Sequence, residues 1–258
     1  MVHIDEKACI GCGLCVAECL VSRVLVLQDD VARVLSDECM KCGHCLAVCP
    51  TAAVSMSAPY SMDEVVLFDQ TPVVDAAQLM LMLKARRSIR HFKARDVEPQ
   101  VIEQIIEAGR YSPTAVNAQN VRYIAVRDDV QMLERACNEL YIKEREEARA
   151  AGLPVPYANL EIGDGFLFYG APALILTVSP HDLNAGLASM SMELMAEALG
   201  LGVLYVGRFT RPVNQDEGIR NMLGIRPEEN IVSCLAIGYP DVQFLRTAPR
   251  KAPEIVWR

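Results

Sequence analysis

The sequence predicts a protein of two parts that mixes helices and strands, with a small cysteine-rich part ahead of a larger domain. Eight of the ten cysteines lie in two copies of one pattern, "CIGCGLCVAEC" and "CMKCGHCLAVC". The rest of the 258-residue chain alternates segments of helical periodicity with short apolar runs typical of strands. We predict a first domain at residues 1–58, a proline-punctuated linker at 59–75 and a second domain at 76–258.

Composition and charge exclude several classes of protein. The chain is 52% hydrophobic, which argues for a packed core rather than disorder, and its formal net charge is -8. A nucleic-acid binder needs a basic surface, so we expect no nucleic-acid partner. No apolar run approaches the ~18 residues of a membrane span, so we expect no membrane association. The cysteine pattern begins at once, without an apolar signal segment, and we therefore expect a cytoplasmic protein with reduced thiols.

Each copy of the pattern places three cysteines at i, i+3 and i+6, with a fourth cysteine four residues later. A loop with this spacing can offer three thiolates to one iron–sulfur cubane. We expect Cys19 and Cys49 at the starts of short helices that turn each of them toward the neighbouring cluster. The first predicted [4Fe-4S] cluster is bound by Cys9, Cys12, Cys15 and Cys49. The second is bound by Cys39, Cys42, Cys45 and Cys19.

Residues 1–58 resemble the two-cluster bacterial ferredoxins, whose motif is C-x2-C-x2-C-x3-C-P. Pro50 fits this motif, whereas Leu20 stands where the first copy usually has proline. Structural zinc and disulfides are the alternatives, but zinc usually takes two separated pairs of ligands rather than two triplets. Two apolar segments, at residues 24–27 and 31–35, predict a short hairpin between the cluster loops.

The second domain begins with an unusual basic block. Asp75 is a predicted N-cap for the helix "AAQLMLMLKARR". Six basic residues and no acidic residue lie between residues 76 and 95 of this acidic chain. In an extended backbone Arg86, Ser88 and Arg90 would face one side, which suits a phosphate monoester. A solvated helix face is the alternative.

A polar loop, "YSPTAVNAQN", follows the predicted helix "PQVIEQIIEAGR" and precedes the predicted strand "VRYIAV". Asn117 and Gln119 carry amides that both donate and accept hydrogen bonds. Such groups suit the edge of a flavin ring or its ribityl hydroxyls. The alternative is that they only form a turn before the strand.

The ordered segments "RRSIRHF", "YSPTAVNAQN", "MSMELMAEALGLG", "CLAIGYP" and "RTAPRK" resemble the nitroreductase family of FMN enzymes, over residues 76–258. The resemblance implies an α+β fold and a homodimer with two FMN sites at its interface. It also implies that the FMN phosphate and ribityl chain are held by Arg86, Arg87, Ser88 and Arg90, with Arg250 and Lys251 closing on the phosphate. The partner subunit would contribute Pro113, Thr114, Asn117 and Gln119. Gly207, in "LYVGR", would place a backbone N–H at flavin N5.

The sequence departs from the family at two places. Asn120 and Val121 replace the usual Pro-Trp, which removes an aromatic ring near the start of the strand. Residues 128–170 form a charged helix and loop where the family varies, and we interpret them as a lid or a dimer-wrapping excursion. Tyr141, Tyr157 and Phe166 would then line the pocket, whereas an ordinary surface helix is the alternative. Cys137 and Cys234 are predicted to be buried and to take no part in redox chemistry.

Clusters move single electrons, and a flavin can accept electrons singly and release them as a pair. We therefore expect a ferredoxin-type donor to feed two clusters and FMN, and an organic acceptor such as a nitroaromatic, a quinone or an activated alkene. NAD(P)H could instead reduce FMN, with the clusters exporting electrons to a partner. A third alternative is an electron carrier or redox sensor that has no substrate.

Overall fold

The computed structural model describes residues 1–21, 24–69 and 73–258. It divides into two compact units, of which unit 1 comprises residues 1–73 and 115–118, and unit 2 comprises residues 74–114 and 119–258. Each unit has its own hydrophobic core. Part of the predicted linker, residues 70–72, lies outside the described residues.

Unit 1 consists of short strands and single-turn helices. Its elements are β1 (Val2–Ile4), α1 (Leu14–Ala17), β2 (Leu25–Gln28), β3 (Val31–Val34), α2 (His44–Ala47) and β4 (Val54–Met56). Strand β1 pairs with β4, and β2 pairs with β3 in the predicted hairpin, both antiparallel. Asp29 and Asp30, between β2 and β3, have φ values of 51° and 57°. Both central residues of a type I′ turn need positive φ, so this pair closes the hairpin.

The short helices begin earlier than we expected. Helix α1 follows Gly13 and α2 follows Gly43, and both glycines adopt the left-handed conformation, with φ of 74° and 77°. A glycine reaches this conformation without steric cost and turns the chain directly into the helix. The prediction that Cys19 and Cys49 start the helices is therefore wrong. Both cysteines lie beyond the helix ends.

Unit 2 contains an antiparallel four-stranded sheet with the order β5–β6–β8–β7. The strands are β5 (Arg122–Val126), β6 (Ala173–Ser179), β7 (Gly202–Tyr205) and β8 (Asn230–Gly238). All seven residues of β6 are buried, as its apolar sequence "ALILTVS" predicts for a central strand covered on both faces. Strands β5 and β7 form the two edges of the sheet.

Six helices complete unit 2. They are α3 (Ala76–Ala85), α4 (Pro99–Arg110), α5 (Val130–Ala150), α6 (Asp182–Ala198), α7 (Gly207–Gln215) and α8 (Glu217–Met222). The Asp75 carboxylate accepts a hydrogen bond of 2.7 Å from the Gln78 N–H, so Asp75 caps α3 as predicted. The helix ends at Ala85, two residues before the end of the predicted segment, and the chain is extended from Arg86 onward.

Side chains that alternate along β6 pack into cores on opposite faces of the sheet. Ile175 packs in one core with Ile105 of α4 and Met192 of α6. Leu174 and Leu176 belong to the other core, with α5 and α7. This alternation follows from the two-residue period of a strand. Among the residues that the structure describes, no helix is both long enough and apolar enough to span a membrane.

Candidate cluster and flavin sites

Cysteines from both copies of the pattern line each of two pockets in unit 1. One pocket contains three cysteines of the first copy and the last cysteine of the second copy. These are Cys9, Cys12, Cys15 and Cys49. Apolar side chains, including Ile4, Ile10 and Val54, form the rest of the wall. The structure thus brings together the four cysteines that we predicted for the first cluster.

The second pocket repeats this arrangement with the copies exchanged. It is lined by Cys39, Cys42, Cys45 and Cys19, with apolar neighbours that include Val24, Leu25 and Met40. Four thiols in an apolar pocket are the donor set of a [4Fe-4S] cubane, so the residues present fit this group. Elsewhere in the described ranges, as in these pockets, no three histidine, cysteine or carboxylate side chains converge on a point suited to a single metal ion.

Backbone N–H groups point at several cysteine sulfurs. The N–H of Ala32 donates to Cys9 Sγ at 3.4 Å, and the N–H of Ala53 donates to Cys49 Sγ at 3.3 Å. The N–H of Lys41 likewise donates to Cys39 Sγ at 3.3 Å. Donors at ligand sulfurs stabilise negative charge there, so these contacts would tune the reduction potentials of bound clusters.

The backbone approaches itself closely at the first cluster loop. A Cβ atom on Gly11, which has a φ of 69°, would lie 2.4 Å from the carbonyl oxygen of Asp30. Only glycine fits this position. The equivalent residue of the second copy is Lys41, which also has positive φ, at 53°. The two loops therefore share one backbone conformation, although only the first loop requires glycine for space.

Burial and hydrogen bonding shift the pKa values of the cysteine thiols in opposite directions. Burial, with smaller contributions from nearby thiolates, raises the pKa of Cys45 to about 11. Burial also opposes ionisation of Cys49, but donors from Thr51, Ala53 and Val54 outweigh it and lower the pKa of that thiol. Because a metal cluster binds thiolates, these donors favour the form of Cys49 that acts as a ligand.

In unit 2 the predicted phosphate-binding segment lies along strand β7. Ser88 forms a bridge with Val203, and the N–H of Ile89 donates to the Val203 carbonyl at 3.0 Å. A Cβ atom on Gly202 would lie 2.3 Å from Ile89 Cγ1, so glycine is required for this contact. The chain leaves β7 at Tyr205 and starts helix α7 at Gly207. The segment and Gly207 therefore lie at the same edge of the sheet.

One guanidinium in this segment has an unused donor. Arg87 Nη1 donates to the Arg86 carbonyl at 2.5 Å. Arg87 Nη2 is buried, and no acceptor among the described residues lies within hydrogen-bond distance of it. Buried donors without partners are uncommon in proteins, and a phosphate oxygen would satisfy this one. Ser88 and Arg90 are exposed beside it. The residues present therefore fit an anionic group such as the FMN phosphate.

Arg86 forms a contact that no pattern in the sequence predicts. Its Nη1 atom lies 2.7 Å from Glu193 Oε1 on α6, and the Glu193 side chain is only 2% exposed. The Tyr205 hydroxyl also hydrogen-bonds to this carboxylate, and burial together with the Glu193 charge raises the pKa of Tyr205. A glutamate within the apolar stretch "MELMAEA" was the available signal.

The residues predicted to approach the flavin from the partner subunit precede strand β5. Thr114 and Gln119 line one pocket, and the Gln119 N–H donates to Thr114 Oγ1 at 3.0 Å. Pro113 is exposed. Asn117 belongs to unit 1, where its Nδ2 donates to the carbonyls of Met40 and Lys41 at 3.0 and 2.9 Å. The structure therefore groups Thr114 with Gln119, whereas Asn117 has other partners.

The two groups of predicted flavin residues lie at opposite edges of the sheet. Arg86–Arg90 and Gly207 adjoin β7, whereas Thr114 and Gln119 precede β5. The strand order places three inter-strand spacings between these edges, about 14 Å in all. Arg250 and Lys251 lie in an exposed C-terminal segment without helix or strand. One copy of the chain does not bring all the predicted residues together.

The Nitroreductase family profile matches residues 83–239, which is more than half of the chain. The chain belongs to the nitroreductase family. A second profile, described as a 4Fe-4S dicluster domain, matches residues 2–56. These matches confirm the family, the α+β fold class and the two-cluster ferredoxin domain that we predicted from the sequence.

Individual relatives of this chain agree with the two matches. The chain is 28% identical over 186 residues to a protein of Archaeoglobus fulgidus. The name of that relative assigns it provisionally to NADH dehydrogenase or NAD(P)H nitroreductase. The match covers 70% of this chain and 97% of the relative. A ferredoxin of Pyrobaculum islandicum is 35% identical over 57 residues, which cover 22% of this chain and 53% of that protein. A crystal structure of a Bacteroides fragilis nitroreductase with bound FMN shares the fold, with a TM-score of 0.56 and 21% identity over 69% of this chain and 97% of that chain.

The helix and loop at residues 128–170 contact helix α7 immediately after Gly207. The Tyr141 hydroxyl donates to the Arg208 carbonyl at 2.5 Å. Tyr141, Tyr157 and Phe166 form a cluster of edge-to-face rings, with centroids 5.4 to 6.4 Å apart. Burial raises the pKa of Tyr141, so its hydroxyl remains a donor. The three rings that we expected to line a pocket are therefore in mutual contact.

Two further cysteines lie in the core of unit 2. Cys137 is 0% exposed and Cys234 is 1% exposed, as we predicted. Burial raises the pKa of Cys137 to about 12 and raises that of Cys234 well above its ordinary value. Both thiols are therefore protonated at neutral pH, and a protonated, buried thiol is a poor nucleophile.

Proposed function

We propose that this member of the nitroreductase family is an FMN-dependent oxidoreductase that receives electrons from a ferredoxin-type donor and delivers them to a nitroaromatic, a quinone or an activated alkene. One observation carries the proposal: a single chain contains two four-thiol pockets and an unpartnered, buried arginine donor beside β7. When bound, the clusters supply single-electron transfer and FMN supplies delivery of electron pairs to an organic acceptor. The side chains of the protein hold and orient these groups.

The β7 edge supports the phosphate assignment. Arg87 offers the unused Nη2 donor, and Ser88 and Arg90 offer exposed donors on the extended segment beside it. Arg86 retains further N–H groups besides the one that Glu193 accepts. Arg250 and Lys251, in the C-terminal segment, would close on the phosphate, as the family resemblance implies.

Helix α7 supports the placement of Gly207 at the reactive edge of the flavin. Gly207 is the first residue of this helix, and no side chain caps the helix N-terminus. The first N–H groups of a helix have no partner within the helix, so they remain able to donate to a ligand. We propose that the Gly207 N–H donates to flavin N5.

We also propose a homodimer in which the partner subunit completes each flavin site. The distance between the β5 and β7 edges supports this, because one sheet separates the two groups of predicted contacts. Pro113, Thr114, Asn117 and Gln119 would come from the partner subunit. Large apolar side chains are also exposed on unit 2, as expected for a surface that a second subunit covers. They include Met80, Leu81, Leu183, Ile255, Val256 and Trp257.

The same proposal includes the domain boundaries and the cellular compartment of the protein. Residues 1–58 would act as the ferredoxin domain, 59–75 as the linker and 76–258 as the FMN domain. We also propose a cytoplasmic location, because thiols that bind clusters must stay reduced and this compartment maintains that state.

Anaerobic purification followed by a donor test would examine this proposal. We expect about eight iron atoms and eight sulfides per chain, the content of two [4Fe-4S] clusters. We also expect one FMN per chain and bleaching of the flavin absorbance after mixing with reduced ferredoxin. A flavin that stays oxidised while the clusters remain intact would contradict the proposed route. Protein without flavin would contradict the proposed enzyme itself.

NADH is a second candidate donor, because the Archaeoglobus fulgidus relative is named for NADH dehydrogenase or NAD(P)H nitroreductase. In that case NAD(P)H would reduce the flavin and the clusters would pass electrons to a partner protein. Rapid bleaching of the flavin by NADH alone, with slow bleaching by reduced ferredoxin, would favour this direction of transfer.

A further inference from the structure

Arg208 is held in a fixed position directly after Gly207. Its carbonyl accepts the hydrogen bond from Tyr141, and its Nη2 donates to the Tyr169 hydroxyl at 2.9 Å. Its guanidinium carbon also lies 4.7 Å from the centroid of the Phe166 ring. One contact from α5 thus fixes the backbone of this residue in the first turn of α7, and two contacts from the following loop orient its half-buried side chain.

No ion pair neutralises the charge of Arg208 within the part of the chain that the structure describes. Among the described residues no carboxylate lies within ion-pair distance of it. Arg90 approaches the same Tyr169 ring, at 6.0 Å from its centroid, so two cations adjoin one tyrosine. By contrast, Arg211 on the same helix is paired with Glu144 at 3.0 Å. In a chain of net charge -8, this local excess of positive charge favours an anionic ligand.

An aromatic surface lies beside this cation. Tyr157 is 41% exposed, and its ring packs edge-to-face against Phe166 at a centroid distance of 6.4 Å. The Arg145 guanidinium fixes the loop that carries Tyr157, because it donates to the carbonyls of Pro156 and Leu160 at 3.2 and 2.7 Å and also to that of Tyr157. A planar ligand could therefore pack against a pre-ordered ring while its anionic group contacts Arg208.

We propose that Arg208 selects aromatic acceptors that carry a carboxylate. The carboxylate would pair with the guanidinium, and the ring would pack against the exposed Tyr157, next to the residue that begins α7. This inference rests on the proposed function, since it assumes that the flavin edge adjoins Gly207. Arg208 would distinguish acceptors with a carboxylate from those without one. Contacts of the acceptor's aromatic ring would contribute the part of the affinity that all aromatic acceptors share.

Calorimetric titration of the FMN-loaded protein with 4-nitrobenzoate and with 4-nitrobenzamide would test this inference. The two probes have the same ring and nearly the same shape, and only the first is an anion. We expect 4-nitrobenzoate to bind about ten-fold or more tightly, the ratio expected for one charge-assisted hydrogen bond. This preference should shrink as salt is added, because added ions screen a partly exposed pair.

Substitutions would assign the preference to one side chain. Arg208→Gln should abolish the preference for 4-nitrobenzoate with little change for 4-nitrobenzamide, and Arg208→Lys should restore part of it. Arg211→Gln removes an arginine from the same helix and should change neither affinity. Equal binding of the two probes, or binding of neither, by FMN-loaded wild-type protein would overturn the inference. Protein that retains no FMN would instead contradict the proposed function.

Discussion

Arg86 is connected both to the predicted phosphate site and to a buried carboxylate. Glu193 is 2% exposed, and it accepts hydrogen bonds from Arg86 and from the Tyr205 hydroxyl. Removing the arginine would leave this carboxylate without its cation in a nearly dry environment. A simple truncation of Arg86 therefore tests two properties at once, and its effects must be separated.

We predict that Arg86→Ala lowers both the stability of unit 2 and its retention of FMN. An unpaired buried charge costs about 3 kcal/mol, and loss of a charge-assisted contact to phosphate costs about 1.5–3 kcal/mol of binding. Urea denaturation and FMN titration measure the two effects. The double variant Arg86→Leu/Glu193→Leu should recover stability but not FMN affinity, whereas unchanged FMN affinity in Arg86→Ala would contradict the phosphate assignment.

Cys49 lies in the second copy of the cysteine pattern but lines the pocket of the first copy. We predict that Cys49→Ser damages the cluster bound by Cys9, Cys12 and Cys15 and leaves the other cluster intact. The matched variant Cys19→Ser should damage the cluster of the second copy. Iron content and the electron paramagnetic resonance of the remaining cluster distinguish the two. Loss of the cluster nearest in sequence would refute the crossed ligation.

At the scale of elements, β7 serves as the support for the basic segment. The N–H of Ile89 donates to Val203, and the absence of a side chain at Gly202 allows Ile89 to lie against the strand. The positions of Arg86, Arg87 and Ser88 therefore depend on a backbone contact between segments more than 100 residues apart in the sequence. Helix α6 contributes the carboxylate that pairs with Arg86.

We predict that Gly202→Ala separates the basic segment from β7 and weakens FMN retention. The new Cβ would lie 2.3 Å from Ile89 Cγ1, so Ile89 must shift, and such overpacking costs about 1–3 kcal/mol of stability. Gly163→Ala is the control, because no atom lies within 4 Å of its added Cβ. Circular dichroism melting and FMN titration provide the measurements. An FMN affinity equal to that of wild type would show that the segment does not depend on this contact.

At the scale of the whole molecule, we propose that two copies of the chain share the flavin site. The residues of the β7 edge and those that precede β5 lie on opposite sides of the sheet of unit 2. Leu183, at the start of α6, is 71% exposed, and Trp257 is 88% exposed. Burial of such side chains between subunits would remove apolar surface from water and would stabilise the dimer.

We predict that Leu183→Asp shifts the protein toward the monomer and reduces FMN content, while the iron content stays unchanged. Burying a charge in an apolar interface disfavours association, and the half-sites would then separate. Met222→Asp is the control, because Met222 is 53% exposed at the end of α8, outside the residues proposed for the interface. Sedimentation velocity and FMN counts report the outcome. A wild-type monomer that retains FMN would exclude the shared site.

The sequence alone determined the features that depend on short-range spacing. The cysteine triplets, the hairpin closed by Asp29 and Asp30, the Asp75 cap and the central strand "ALILTVS" all follow from the chemistry of a few neighbouring residues. Such local patterns also sufficed to identify the nitroreductase family and the two-cluster domain. The starts of α1 and α2 were misplaced because a left-handed glycine can either bend a loop or begin a helix.

Only the tertiary structure decided which distant residues meet. Glu193 and Arg86 are 107 positions apart, and the pairing of a methionine-rich helix with a basic segment has no local signature. The strand order, which separates Thr114 from Arg86, likewise depends on how the sheet is assembled. The packing of helices and loops fixes Arg208, which has no carboxylate partner among the described residues. Packing brings residues into contact that are distant in the sequence, whereas a local sequence pattern contains information only about residues that are close along the chain.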